Sequence, residues 1–214
     1  MNQQTRYQDL VLTALFAGII VLLAFTPIGF INLVVIKATI IHVPVIIGSI
    51  LLGAKRGAIL GFCFGLTSFF TTYMAPSLLS FAFNPMIPVP GTPRGSFWAI
   101  VICFVPRILV GVVPYYVYRL MQRLLAKRPK GEYISLTLAG ILGAATNTAL
   151  VMSLINFLFK DAFAAAKDIP VTAVTGAVLG IVAANGIPEA IVAAVLTVAV
   201  CRPLLLFRRR RNPA

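Results

Sequence analysis

Residues 171–206 read VTAVTGAVLGIVAANGIPEAIVAAVLTVAVCRPLLL, an apolar stretch in which only Glu189 and Arg202 carry charge. This length exceeds the roughly 17–25 apolar residues that a helix needs to cross a bilayer. Five further apolar stretches precede it, at about 10–26, 38–54, 57–73, 97–118 and 134–159. We therefore predict an all-α membrane protein, a single domain over residues 1–214 in which six transmembrane helices form one bundle.

The cations are unevenly distributed over the breaks between these stretches. If both termini lie on one side of the membrane, thirteen of the 18 Lys and Arg residues fall on that side: Arg6, Lys55, Arg56, Arg119, Arg123, Lys127, Arg128, Lys130, Arg202, Arg208, Arg209, Arg210 and Arg211. Four fall on the other side, namely Lys37, Arg94, Lys160 and Lys167. Because positively charged loops stay in the cytoplasm, we predict that both termini are cytoplasmic.

The composition disfavours several classes of function. The net charge of +13 would suggest nucleic-acid binding in a soluble protein, but topology and attraction to anionic lipid account for it here. The three cysteines, Cys63, Cys103 and Cys201, lie in or at the ends of the apolar stretches without CxxC spacing. We therefore expect neither a metal site nor redox chemistry in this chain.

Two charged side chains lie inside the apolar stretches. Arg107 is about ten residues into the fourth stretch, and Glu189 lies within the sixth. Such residues are costly in hydrocarbon and normally face a cavity or each other. They could form a buried pair that fixes the packing, or they could hold a polar solute. Arg107 is the better partner for a carboxylate, since its planar guanidinium can bind one with two parallel hydrogen bonds.

Amides add a second group of candidates. Asn147, Asn156 and Asn185 lie in the fifth and sixth stretches. An amide can read the hydroxyl and amide groups of a ligand, or it can join neighbouring helices.

The segment 74–96 holds Pro76, Pro85, Pro88, Pro90 and Pro93 and cannot span the membrane as a helix. Its apolar content favours an external lid over a solvated loop. It contributes Asn84 and Arg94 as candidate ligand contacts, and Trp98 follows directly. Arg94 could instead be exposed, and Trp98 could instead anchor the chain at the membrane interface.

Small residues recur in the first stretch. Ala14 and Gly18 stand four residues apart, so they lie on one face of a helix. Such steps allow helices to approach closely, either within the bundle or against another membrane protein.

Three segments together resemble one known family. They are TIIHVPVIIGSILLGAKRG at residues 39–57, VPRILVG at 105–111 and NGIPEA at 185–190. They are similar to the substrate-binding S-components of energy-coupling factor (ECF) vitamin transporters, and the likeness extends over essentially the whole chain. Within that family the pattern most resembles the pantothenate-specific S-component.

The resemblance implies a mechanism and partners. S-components reside in the prokaryotic plasma membrane, capture a vitamin from outside and hydrolyse nothing themselves. They dock onto a transmembrane coupling subunit, the T-component, which carries two cytoplasmic ATPase subunits. The absence of a GxxxxGK[ST] phosphate loop agrees with this, so we expect ATP to be used only by the partners. The small-residue docking motif of the family corresponds to Ala14 and Gly18, with glycine replacing the usual second alanine.

The resemblance also implies which candidate residue could contact each chemical group of the vitamin. Pantothenate carries a carboxylate, two hydroxyls and an amide. Arg107 or Arg94 could hold the carboxylate, and Asn84, Asn147 and Asn185 could read the rest, with Glu189 and Trp98 as further candidates.

Other functions stay open at this point. The same fold could serve a pyridoxine-type compound, a thiamine precursor or folate. An intramembrane enzyme could use Glu189 and His42, although no paired acidic or metal-ligand motif accompanies them. A structural or assembly protein is a third reading, and the buried charges count against it.

Overall fold

A computed structural model of the chain describes residues 3–33 and 36–211. This part contains eight α-helices: α1 (Gln3–Ala24), α2 (His42–Leu52), α3 (Ala54–Met74), α4 (Trp98–Val110), α5 (Val113–Leu124), α6 (Gly131–Leu158), α7 (Lys160–Lys167) and α8 (Val174–Arg211). It also contains one antiparallel pair of strands, β1 (Phe30–Leu33) and β2 (Ile36–Thr39). In this hairpin Phe30 is opposite Thr39 and Leu33 is opposite Ile36.

Among the described residues, five helical stretches are long and apolar enough to cross a membrane: Tyr7–Ala24, Ala54–Met74, Trp98–Leu124, Gly131–Leu158 and Val171–Phe207. Large apolar side chains on them point away from the bundle, for example Leu10, Leu15, Ile187 and Ile191, which are all more than half exposed. Outward apolar faces on long helices suit a lipid environment. The predicted class, a helical membrane protein, is confirmed.

The structure changes the second predicted helix. We expected residues 38–54 to be helical, but α2 covers only 11 residues, from His42 to Leu52. The preceding residues use their backbone hydrogen bonds in the hairpin instead, because Ile36–Thr39 pair with β1. At its other end α2 is separated from α3 by Gly53 alone, whose φ of 93° favours glycine.

The fourth predicted helix is divided in two. Residues 97–118 form α4 and the first half of α5, with Gly111 and Val112 between them. Pro114 has no backbone N–H, so it could not donate to the carbonyl four residues earlier in a continuous helix. It lies instead in the first turn of α5, where no such hydrogen bond is needed. By contrast α8 runs without interruption through Pro188 and Pro203.

Helices α3 and α4 approach each other through glycine. A Cβ on Gly57 would collide with the carbonyl of Gly111, and a Cβ on Gly61 would collide with the carbonyl of Arg107. The backbones therefore touch along this contact, as small residues allow between membrane helices. The contact sets how deeply Arg107 is placed against α3.

The buried apolar residues form two clusters. The first, which we call the α2 cluster, surrounds Val45 and Ile46 and includes Leu60, Val110 and Leu136. The second, the α7 cluster, surrounds Phe163 on α7 and draws its members from α4, α6, α8 and the segment that joins α3 to α4. That segment contributes Phe81 and Ala82, so it packs onto the bundle rather than extending into solvent.

We predict that Gly57→Ala destabilises the protein, because its methyl group overlaps the Gly111 backbone. The expected loss is about 1–3 kcal/mol, the usual cost of overpacking, measured by thermal unfolding in detergent. Gly180→Ala is the matched control, because a Cβ there meets no atom within 4 Å. An unchanged melting temperature for Gly57→Ala would contradict the backbone contact.

Candidate functional site

Four polar side chains lie where the two apolar clusters meet. On α4, Arg107 lies between Ile102 of the α7 cluster and Val110 of the α2 cluster. On α6, Asn147 and Thr148 lie between Ala144 and Val151, which belong to the α2 and α7 clusters respectively. On α8, Glu189 is followed by Ala190 and Ala193, which pack on the α2 cluster. We call Arg107, Asn147, Thr148 and Glu189 the polar layer.

Glu189 joins three elements. Its Oε1 accepts a hydrogen bond of 3.0 Å from the backbone N–H of Thr39, and its Oε2 accepts one of 2.7 Å from the hydroxyl of Thr148. The side chain is only 6% exposed. The carboxylate therefore ties the end of β2 to α6 and α8. It satisfies a partly buried backbone donor at the end of the hairpin.

Arg107 is buried without a carboxylate partner in the described part of the chain. It is 8% exposed, and one terminal N–H donates to the carbonyl of Ile102 at 2.9 Å. Its Cζ lies 4.8 Å from the ring centroid of Phe83 and 5.6 Å from that of Phe64. These rings stabilise the cation through their negative faces. The Nε is buried and makes no hydrogen bond.

Arg107 and Glu189 therefore do not pair with each other. The buried-pair reading of these two charges is wrong, because each has its own set of partners in the described structure. The partners of Arg107 come from α3 and the α3–α4 segment, and those of Glu189 come from β2 and α6.

Two further side chains keep unused hydrogen-bonding capacity. The Oδ1 of Asn147 is buried without a partner. Asn147 shares a helix face with Gly143, which contacts Ile46, and with Val151, which belongs to the same cluster as Ile102. Asn147 therefore lies on the face of α6 that meets α2. His42, the first residue of α2, is fully buried, and neither ring nitrogen has a partner. Buried polar atoms without partners are rare and suggest an unfilled site.

The other predicted contact residues are placed differently. Asn84 is fully buried, but its amide is used locally, since Oδ1 accepts from the Met86 N–H at 2.9 Å and Nδ2 donates to the Phe69 carbonyl at 3.4 Å. Asn185 is partly buried one turn from Glu189. Arg94 and Trp98 are exposed, and the structure does not bring them to the polar layer. Their role in binding stays a prediction.

Sequence reasoning missed several residues that build the site. Thr148 and Thr39 hold Glu189, and Phe64 and Phe83 face Arg107. Each is an ordinary residue for its segment, and its role depends on contacts over long sequence separations. A stronger signal was present for Thr148, which directly follows Asn147 in an apolar helix.

The predicted docking face is open. Ala14 and Gly18 are both exposed on α1, and a Cβ on Gly18 would meet no atom within 4 Å. The two residues therefore do not serve packing within the chain, which leaves this face available to another membrane protein.

Comparison with known proteins then decides the family. Residues 8–201 match the family described as the ECF transporter, substrate-specific component. The chain belongs to the family of substrate-specific components of ECF transporters.

Two relatives match over almost their full length. The chain is 39% identical over 208 residues to the pantothenic acid transporter PanT of Lactococcus lactis subsp. cremoris, covering 96% of this chain and 98% of that protein. It is 32% identical over 215 aligned positions to the pantothenate transporter PanT of Leuconostoc mesenteroides subsp. mesenteroides, covering 98% and 97%. The predicted family is confirmed. This S-component is a transport protein of the cell membrane, spans it several times and is not an enzyme.

We predict that Glu189→Ala frees the end of β2, because the Thr39 N–H loses its acceptor. A hydrogen bond to a charged group contributes about 1.5–3 kcal/mol, so amide exchange at residues 36–40 should accelerate at least about tenfold. Hydrogen exchange followed by mass spectrometry measures this.

Two controls accompany the experiment. Glu189→Gln keeps an oxygen acceptor, so amide exchange at residues 36–40 should stay close to the rate in the unmodified protein. Thr146→Val removes a hydroxyl of α6 that bonds only to Leu142, and it should change nothing at β2. Equal amide exchange rates in Glu189→Ala and the unmodified protein would show that Glu189 does not hold the Thr39 N–H.

Proposed function

We propose that this chain captures pantothenate from outside the cell and releases it inside after docking to an energising module. The observation that carries the proposal is Arg107, a guanidinium that is 8% exposed and has no carboxylate partner in the described structure. Both relatives are named for pantothenate transport, which supports the same substrate.

Burial gives Arg107 its affinity for an anion. An unpaired charge is costly in an apolar interior, and the Phe64 and Phe83 rings offset only part of that cost. A carboxylate arriving at the free edge of the guanidinium would supply the missing counter-charge and accept from Nε. The site is therefore arranged for a monocarboxylate before the ligand arrives.

The rest of pantothenate needs neutral partners. Its two hydroxyls and its amide both donate and accept hydrogen bonds, as do the amides of Asn147 and Asn185 and a neutral imidazole at His42. The unused atoms of His42 and Asn147 support this assignment. Asn84, Arg94 and Trp98, in or next to the segment between α3 and α4, and Glu189, next to the hairpin, are further proposed contacts.

We extend the proposal to topology and partners. We propose that α2 completes a set of six membrane segments, that residues 1–214 form one domain and that both termini are cytoplasmic. The thirteen cations on that side support the orientation. The proposed partners are a T-component and two ATPase subunits, which use the ATP, while this chain needs no cofactor of its own.

We predict that Arg107→Gln weakens pantothenate binding by about 30-fold or more, the usual effect of truncating one partner of a buried charge pair. Isothermal titration of the detergent-purified chain measures the affinity. The alcohol analogue of pantothenate, in which a hydroxymethyl group replaces the carboxylate, should bind the unmodified chain and Arg107→Gln with similar affinity. Arg94→Gln separates the two candidate arginines: it should weaken pantothenate binding far less than Arg107→Gln, because Arg94 is exposed and water screens its charge.

Tight binding of another vitamin would keep the transport function and overturn the substrate. Equal losses for pantothenate and its alcohol in Arg107→Gln would show that Arg107 does not hold the carboxylate.

We further predict that Gly18→Leu abolishes transport but not binding. Its side chain projects from an open face of α1, so the bundle can accept it, whereas a helix docked there cannot. Vitamin uptake in vesicles with the T-component and ATPases should fall to background, with pantothenate affinity unchanged. Ile19→Leu, an isomeric change at the next exposed position, is the control. Normal uptake in Gly18→Leu would place docking elsewhere.

A further inference from the structure

A long apolar groove runs between α6 and α8 on the outside of the bundle. Its main part has a volume of about 670 Å³ and is lined by side chains that are almost all apolar, including Ile141, Ala145, Ala183, Ile187 and Ile191. Of the polar layer it touches only Thr148. A second part of about 420 Å³ continues it toward Thr137 and Ala199, since both parts share Ala194 and Val195.

The length of the groove fits one acyl chain. It extends along α6 from Ala149 to Thr137, which at 1.5 Å per residue is about 18 Å. One leaflet contributes about half of the roughly 30 Å of bilayer hydrocarbon. Leu179, Ile187, Ile191 and Val195 line the groove and are more than half exposed, so it opens outward to lipid rather than into the bundle.

One end of the groove carries a cation. Arg202 lies one turn beyond Ala199, and Tyr133 lies one turn beyond Thr137. The Cζ of Arg202 is 3.9 Å from the ring centroid of Tyr133, so the face of the guanidinium is covered by the ring. Arg202 stays partly exposed, so the N–H groups at the edge of the guanidinium can donate to phosphate oxygens. Within the described residues Arg202 forms no ion pair.

We propose that this groove binds one anionic phospholipid, with an acyl chain between α6 and α8 and the phosphate at Arg202. The charge pattern favours an anionic headgroup, because the sequence continues past Arg202 with four consecutive arginines, Arg208–Arg211. With the cytoplasmic termini proposed above, the lipid belongs to the cytoplasmic leaflet. The site is separate from Arg107, so it can be tested independently of vitamin binding.

The test uses the full chain, delipidated in mild detergent and titrated with phosphatidylglycerol or phosphatidylcholine. Native mass spectrometry counts the bound lipid. We expect one phosphatidylglycerol per chain, bound more tightly than phosphatidylcholine. Arg202→Gln should weaken phosphatidylglycerol binding about fivefold, the contribution of one cation near an anionic surface. Phosphatidylcholine binding should weaken less, because its choline cation already offsets the phosphate charge.

Each variant has a matched control. Arg119→Gln removes an arginine that also lies over a tyrosine, Tyr115, but lies on α5 away from the groove. Ala183→Leu fills the groove, whereas Ala184→Leu adds the same side chain at the next exposed position of α8, outside it. Arg202→Gln and Ala183→Leu should bind less lipid, and the two controls should bind as the unmodified chain does. Thermal unfolding verifies that all four variants fold.

Three results would overturn the proposal. They are equal binding of the two lipids, equal losses for Arg202→Gln and Arg119→Gln, and equal losses for Ala183→Leu and Ala184→Leu. A groove that takes no lipid in the isolated chain, but is protected from labelling when the T-component is added, would overturn it in favour of a protein interface.

Discussion

In the hydrocarbon of a membrane every backbone N–H must find its partner inside the protein, and this constraint shapes the whole chain. Helices satisfy it within themselves. The β1–β2 hairpin satisfies it by pairing its strands, but the Thr39 N–H is left over, and the carboxylate of Glu189 accepts from it. The acid in α8 is thus first a structural group. It completes the backbone bonding of an irregular element that lies against helices.

Arg107 presents the opposite case. Its charge is surrounded by one carbonyl and two aromatic rings, none of which neutralises it. A buried cation left in this state is costly, and the anion that we propose to bind there would offset the cost. The glycine contact between α3 and α4 makes the arrangement rigid, because the backbone at Arg107 is packed directly on Gly61.

The two charges connect the polar layer to the hairpin and to the segment between α3 and α4. Phe83, in the segment between α3 and α4, lies over the guanidinium of Arg107. Thr39, at the end of the hairpin, bonds to Glu189. An anion at Arg107 changes the charge that Phe83 faces, and a movement of the hairpin breaks a bond to α8. Each segment is thus linked to one of the two buried charges through a single identified contact.

Particular residues show how far the sequence could predict this site. Arg107 and Glu189 were identifiable because a lone charge in an apolar stretch is costly wherever it lies. Their supposed pairing was wrong, since two charges in one bundle can each find neutral partners, as Ile102 and Thr148 show. Asn84 was selected for its amide, but that amide bonds to the Met86 N–H of its own loop and to the Phe69 carbonyl of α3. The predicted second helix began four residues too early because residues 38–41, Ala-Thr-Ile-Ile, contain no proline or glycine that would exclude a helix.

The sequence by itself determined the membrane class, the long helices and the identity of the isolated charges. Hydropathy, helix length and the cost of a buried charge act over one residue or one local stretch, so they can be read along the chain. Only the tertiary structure decided the partners of those charges, the hairpin and the groove between α6 and α8. Glu189 meets Thr39 and Thr148 across 150 and 41 residues of sequence. Such contacts depend on how helices pack, and helix packing in lipid is set by small differences in shape that no single stretch encodes.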